Sequence, residues 1–198
     1  MMQATVSSPP MLYQIFSLLL EVSTGLLTAT CLLRLYMQLQ RIPLSVRSGN
    51  PMGRFIFALT DWLVLPLRRV VPALAGWDMA SLVAAFLLQV VHFGLLWLWL
   101  DAAAPLASVA ALAVFGVVRT ALSGLTGLVI MFAVLSWVQT QSYLSDLLER
   151  LVSPLLTPIR RALPHVGGVD LSPLALLLLL QIAAIVLGSV QASVLAAF

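Results

Sequence analysis

Long apolar runs alternate along this chain with short charged stretches, and their lengths predict helices that cross a membrane. Leu12 to Leu33 is 22 residues with one charge, Glu21. A second run, Met79 to Leu100, lies between Asp78 and Asp101, and a third extends from Leu171 to Phe198 without a charge. At about 1.5 Å per helical residue, a hydrocarbon core about 30 Å thick needs about 20 residues, so each run suffices. Ala102 to Val138 is harder to place: 37 mostly apolar residues with Arg119 inside are too long for one ordinary span and short for two. No turn dipeptide marks a hairpin near Arg119, so the span proper is expected over about 116–138. Pro105 would open a shorter apolar helix before it that is interfacial, tilted or continuous with the span.

The charged stretches have a pattern of their own. In the first, Arg54, Asp61 and Arg68 recur at heptad spacing while Phe55, Leu59, Trp62 and Leu63 fill the other side. In the second, Asp146, Glu149, Arg150 and Ser153 oppose Leu147, Leu148, Leu151 and Leu155. Both are expected to be amphipathic helices lying in the interface. Pro66 and Pro158 are then expected to interrupt these helices by starting a new turn, which Pro72 and Pro164 end.

These prolines belong to an internal repeat. Pro66 to Gln89 aligns without a gap on Pro158 to Gln181, 92 positions later, and ten of 24 positions are identical, including Pro, Arg-Arg, Pro, Gly, Asp and Gln. Two apolar stretches agreeing by chance would share leucines, not this ordered polar set. The expected organisation is an external tail over 1–11, a first repeat over 12–100, a connector over 101–115 and a second repeat over 116–198. Each repeat carries a span, an amphipathic helix with its Pro-Arg-Arg-Pro turn, and a second span.

Composition fits this reading and adds an orientation. The chain is 62% hydrophobic and 9% charged with a mean hydropathy of +1.09, whereas soluble domains carry about 25% charged residues. It leaves no room for a separate soluble catalytic domain. Six arginines lie between the first two spans, three between the last two, and only Arg119 elsewhere. Placing both basic segments in the cytoplasm satisfies the positive-inside rule, puts both termini outside, and makes the repeats parallel copies about an axis along the membrane normal. Met1 to Pro10 then reads as a translocated tail. All ten basic residues are arginine, a choice that suits phosphate contact but that a GC-rich genome would also produce. Cys31 is the single cysteine and cannot form an internal disulfide.

Three sets of residues carry candidate chemistry, each with a plain structural alternative. The pairs Arg68, Arg69 and Arg160, Arg161 either anchor a turn to headgroups and nearby Asp, or form a four-arginine site for anionic phospholipid or a partner protein. Asp78 and Asp170 each precede a span, as helix N-caps do. Gln89 and Gln181 each lie 11 residues beyond their Asp, about 16 Å in, near the midplane. They either form a hydrogen-bonded pair joining the second and fourth spans, or, with Glu21 and His92, line a proton or cation path. Small residues, Ala184, Gly188, Ala192 and Ala196 on the last span and Thr120, Ser123, Gly124 and Gly127 on the third, allow close helix packing within the chain or between protomers.

Glycine-rich phosphate loops, Gly-X-Ser-X-Gly and His-Glu-X-X-His are absent from the sequence, so an enzyme is not expected, nor a metal, cofactor or nucleic acid. The paired "PLRRVVPALAGWDMASL" and "SPLLTPIRRALPHVGGVDLSPL", with "LLRLYMQ" and "VLSWVQ" closing the first and third spans, resemble the two repeats of the bacterial YggT family, related to the YlmG proteins of plastids and cyanobacteria. Ser153 and Thr157 depart from the pattern, where the family often has Asp and a basic residue. The resemblance implies a multi-pass inner-membrane protein without an established biochemical activity. Family members are associated with osmotic-stress tolerance and potassium homeostasis, with division and envelope organisation, and in plastids with cytochrome assembly. The expected function is therefore a non-enzymatic accessory or assembly protein engaging anionic lipid, a membrane-protein partner or its own copies, with an ion-linked (potassium or proton) role as the alternative.

Overall fold

The computed structural model of the chain describes residues 11–42, 51–71, 78–99, 105–138, 142–162 and 170–196, and it is helical throughout these segments. The Met1 to Pro10 tail, Arg47, Pro72 and Pro164 lie outside the described residues. Six helices follow one another: α1 (Met11–Leu39), α2 (Pro51–Val70), α3 (Met79–Trp99), α4 (Leu106–Val138), α5 (Tyr143–Ala162) and α6 (Ser172–Leu195). Helices α1, α3, α4 and α6 are long and apolar enough to cross a membrane. They keep large aliphatic side chains on their outsides, among them Leu18, Val91, Val134 and Ile185. In water this surface would be untenable, and in lipid it is the solvated face. The chain is an all-α membrane protein.

Within each repeat, the first span packs on the second, α1 on α3 and α4 on α6. The short helix of each repeat, α2 or α5, rests against both of its spans. The repeats are joined by α3, which also packs on α4, and by contact between α1 and α4. Close approach makes the α3 to α4 joint: a side chain at Gly116 would meet the Gln89 amide and the Phe93 ring. Stacking of Phe16 on Trp99, with ring centroids 4.8 Å apart, ties the start of α1 to the end of α3.

The 33-residue α4 is one unbroken helix, so of the courses expected after Pro105 the one continuous with the third span holds, and Arg119 lies well inside it. One expectation needs correction. Pro66 and Pro158 do not interrupt α2 and α5; both helices run through them, and α5 runs through Pro154 as well. All three prolines are exposed, so the carbonyl each leaves without an N–H faces outward, where water or headgroups can satisfy it. On α2, Ile56, Thr60 and Val64 are buried against the spans, whereas Phe55 and Trp62 of the apolar side are exposed. On α5, Leu147, Leu148 and Leu151 are buried as a helical stripe together with Val152 and Leu156.

Candidate functional site

At the arginine-rich end, where α1 finishes and α3 begins, a buried polar cluster ties three helices together. Helix α1 continues past Leu33 for nearly two turns, which carries Arg34 inside the structure at 2% exposure. Its Nη1 donates to Thr60 Oγ1 at 2.8 Å and to Asp61 Oδ1 at 2.7 Å, both on α2. The guanidinium lies over the Phe57 ring, 4.8 Å from its centroid. Its Nε is buried without a hydrogen-bond partner and sits 3.6 Å from Asp78 Oδ2.

Asp78 is the acceptor at the centre. Arg68 grips it with two nitrogens, Nη2 to Oδ2 at 2.6 Å and Nε to Oδ1 at 3.3 Å, and Ser81 Oγ donates to Oδ2 at 2.7 Å. The two-pronged contact is the strong geometry for an arginine and a carboxylate. Burial alone would raise the Asp78 pKa, but hydrogen bonds from Arg68 and Ser81 and the charges of Arg68 and Arg34 outweigh it, holding the carboxyl below its ordinary value of 3.8. The carboxylate of Asp78 thus accepts from side chains, while its backbone oxygen takes the N–H groups of Ser81 and Leu82 at the start of α3.

The second repeat keeps only the outer half of this arrangement. Arg160 Nε donates to Asp170 Oδ2 at 2.9 Å, and the backbone N–H of Ser172 donates to Asp170 Oδ1 at 2.9 Å. Burial pushes this carboxyl up as well, but the Ser172 hydrogen bonds and Arg160 hold it below 3.8. Counting 92 positions on from Thr60 and Asp61 gives Val152 and Ser153, and α4 carries no charge after Arg119, so the buried cation and its acid are not rebuilt. Asp170 and Arg160 each stay one-third exposed. By sequence alone Arg34 is one of the six arginines between the first two spans. The signal available was spacing, since Thr24, Thr28, Cys31 and Arg34 fall on one helical face and Thr24, Thr28 and Cys31 are buried with it.

The two arginine pairs are split by role. Arg68 and Arg160 hold the aspartates, whereas Arg69 and Arg161 are exposed at the ends of α2 and α5. Nearby on α1, the last turn closes with Arg41 N–H donating to Gln38 O and Ile42 N–H to Met37 O, which puts Arg41 in the left-handed region at φ 54°. Arg41 lines a groove of about 500 Å³ with Gln40, Arg150, Ser153 and Thr157.

The four intramembrane polar candidates fall into two places. Gln89 Nε2 donates to Thr28 on α1 at 3.3 Å and to Thr120 on α4 at 3.5 Å. One turn on, His92 Nδ1 lies 3.0 Å from Thr24 Oγ1, and Glu21, three residues before Thr24, is exposed. Gln181 is not with them. It is exposed on α6 and lines a groove between α4 and α6 of about 460 Å³, together with Arg119, Ser123 and Gly188. The expected Gln89 to Gln181 pair therefore does not form. Because α3 is wedged between α1 and α4, the threonines of those helices reach Gln89 first. Among the described residues no cluster of His, Cys, Asp and Glu could hold a metal ion.

With this geometry in view, the likeness to known proteins is informative. The sequence profile of the CCB3/YggT family matches residues 10–99 and again 111–191, one match for each repeat. The chain is 34% identical to the uncharacterized protein YggT of Escherichia coli K12 over 173 residues, covering 83% of this chain and 84% of that one. It is 35% identical to the uncharacterized protein PA0392 of Pseudomonas aeruginosa, covering 83% of each. With an uncharacterized protein of Vibrio alginolyticus, identity is 30%, covering 88% of this chain and 94% of the other. No solved structure matches the chain. Two profile matches, each spanning one three-helix repeat, and identity across most of both chains establish that this protein belongs to the CCB3/YggT family.

Proposed function

We propose that this chain is a non-enzymatic accessory or assembly protein of the bacterial inner membrane that engages anionic phospholipid headgroups at its arginine-rich end. The reading is carried by the split within each Arg-Arg pair: one arginine is spent on an aspartate, and its neighbour, Arg69 or Arg161, is left exposed at the same place in both repeats. An exposed guanidinium at the end of an interfacial helix suits a headgroup phosphate. The groove holding Arg41 and Arg150 beside two hydroxyl side chains adds a second place where a headgroup phosphate could be held. Exposed Phe55, Trp62 and Leu65 on α2 suit a helix lying at the level of the headgroups.

The arginine-rich end is assigned to the cytoplasm by the positive-inside rule, with both termini on the periplasmic side. Cysteines at Ser48 and Gln141, in a protein lacking Cys31, are then shielded from an outside-only thiol reagent, while one at Ser8 reacts. Labelling of Ser48 or Gln141 from outside refutes the orientation. The lipid reading is tested by native mass spectrometry of purified protein with phosphatidylglycerol or phosphatidylethanolamine. Replacing Arg41, Arg69, Arg150 and Arg161 by Gln should abolish the preference for phosphatidylglycerol, and an unchanged preference refutes the reading.

An ion-linked role in osmotic homeostasis is the second reading, motivated by Glu21, His92 and Gln89 lying near one another. The bonds of Gln89 to Thr28 and Thr120, and of His92 to Thr24, favour a seam that joins helices over a path for ions. Potassium or proton flux through protein reconstituted in liposomes would support the second reading.

A further inference from the structure

Arg119 is an exposed charge halfway through the membrane. The Gln89 amide donates to Thr120 Oγ1 at 3.5 Å, so the neighbouring Arg119 lies level with Gln89, the central residue of the 21-residue α3. From that level, about 15 Å of helix runs toward each end of α3. An arginine near a helix end snorkels to the headgroups, but one at this depth is costly and is ordinarily paired. Among the described residues, Arg119 forms no ion pair. The acids of the chain are placed elsewhere. Asp61, Asp78, Asp146, Glu149 and Asp170 belong to the arginine-rich end, and Glu21 on α1 acts electrostatically on His92 of α3. Asp101 precedes α4, whose first residue is already about 20 Å from Arg119 along the helix.

The groove beside Arg119 indicates what belongs there. Arg119, Ser123 and Thr126 of α4 face Gln181, Gly188 and Gln191 of α6 across about 460 Å³. Each set keeps to one helical face, and from Gln181 to Gln191 the α6 wall runs about 15 Å along the helix axis. Nothing lies within 4 Å of where a side chain at Gly188 would begin. Acyl chains fill such a groove poorly, since they satisfy neither the guanidinium nor the amides. Headgroup phosphates stay about half the bilayer core away. A transmembrane helix fits on three counts: it follows the length of the groove, Gly188 lets its backbone approach closely, and a carboxylate on it matches Arg119. Two copies of this chain inserted the same way hold Arg119 at the same depth, so setting one groove against the other brings like charges together.

We propose that the groove between α4 and α6 receives a transmembrane helix of a different membrane protein, one with an Asp or Glu near its centre, and that Arg119 pairs with that carboxylate. An ion pair in hydrocarbon holds only where the remaining lone pairs are also satisfied. The groove supplies the donors: the guanidinium offers a two-pronged contact, and the Ser123 hydroxyl and Gln181 amide line the same space. The site lies in mid-membrane, away from the arginine-rich end, so it stands or falls apart from headgroup binding there.

The test is photocross-linking in the cells that naturally make this chain, with a tagged full-length copy replacing the chromosomal one. Benzoylphenylalanine at exposed Ile185, within about one turn of Gln181 and Gly188, should form an adduct with another membrane protein. At Val186, which is exposed on the opposite side of α6, it should not. Mass spectrometry of the adduct identifies the cross-linked span, which should hold an Asp or Glu at mid-depth. Arg119→Lys keeps the charge and should keep the adduct. Arg119→Gln, which still inserts, should lower its yield by about tenfold, as should an amide in place of the partner's acid. Arg119→Glu combined with an arginine at the partner's acid should restore the adduct that either reversal alone abolishes. Four results overturn the proposal: no adduct at Ile185 in correctly inserted protein, an equal adduct at Val186, an adduct only with a second copy of this chain or with a span lacking an acid, or an unchanged yield in Arg119→Gln.

Discussion

Removing the same aspartate from each repeat should cost very different amounts. Asp78→Leu deletes the acceptor of a two-pronged Arg68 contact and of Ser81, and removes the carboxylate 3.6 Å from a buried Arg34 nitrogen that has no other partner. Breaking a buried pair by removing one member costs about 3–5 kcal/mol, because the remaining charge stays buried. Asp170→Leu deletes a contact whose members are one-third exposed, worth about 0–1 kcal/mol after solvent screening. It also deletes the bond to the Ser172 N–H, worth about 1 kcal/mol as a helix cap. The expected difference between the variants is about 1–4 kcal/mol, or about 5- to 1000-fold in the unfolding equilibrium. Titration with SDS in mixed micelles, followed by tryptophan fluorescence, measures it. Adding Arg34→Met to Asp78→Leu should recover part of the loss, since Asp61 is open to solvent and Thr60 keeps its bond to the Ile56 carbonyl. Equal losses in the two repeats, or a greater loss at Asp170, would refute the claim that the buried arginine makes the first clamp the stronger.

The same clamps set a pH dependence. Both carboxyls titrate below 3.8 in the folded protein, so their contribution is fully present above the unfolded value and is lost as pH falls through the depressed folded values; the unfolding midpoint in SDS should hold near neutrality and fall below about pH 3.8, less steeply in Asp78→Asn. Gly116→Ala should lower stability by about 1–3 kcal/mol, because the new methyl must displace Gln89 from its threonine partners and press on Phe93; an unchanged unfolding midpoint would count against the close approach of α3 and α4. Gln89→Leu should cost about 0.6 kcal/mol or more while Gln181→Leu costs nothing in the monomer, a contrast that vanishes if the two amides bond to each other.

What could be read from the chain before its structure divides along a physical line. Apolar run lengths report the number of spanning helices because the bilayer imposes them residue by residue, and the repeat reports which parts are equivalent. Proline was a poor guide to where α2 and α5 end. Its lost hydrogen bond matters only if the freed carbonyl is buried, and Pro66, Pro154 and Pro158 sit on exposed faces. Arg34 was misplaced because a charge at the end of an apolar run looks like a boundary, and only the third dimension brings Thr60, Asp61 and Asp78 around it.

Equivalence in sequence also does not mean equivalence in surroundings. Gln89 and Gln181 occupy matching positions, yet Gln89 has neighbours on two sides while Gln181 borders an open groove, because α3 is packed between α1 and α4 whereas, among the described residues, α6 packs on α4 and α5. The first repeat has covered its second span with α4 and closed its polar clamp around Arg34. The second repeat keeps the Arg160 to Asp170 contact but leaves α6 open beside Arg119. The unequal repeats thus differ physically: the first holds three helices together at a buried charge, and the second presents a groove lined by Arg119, Ser123 and Gln181.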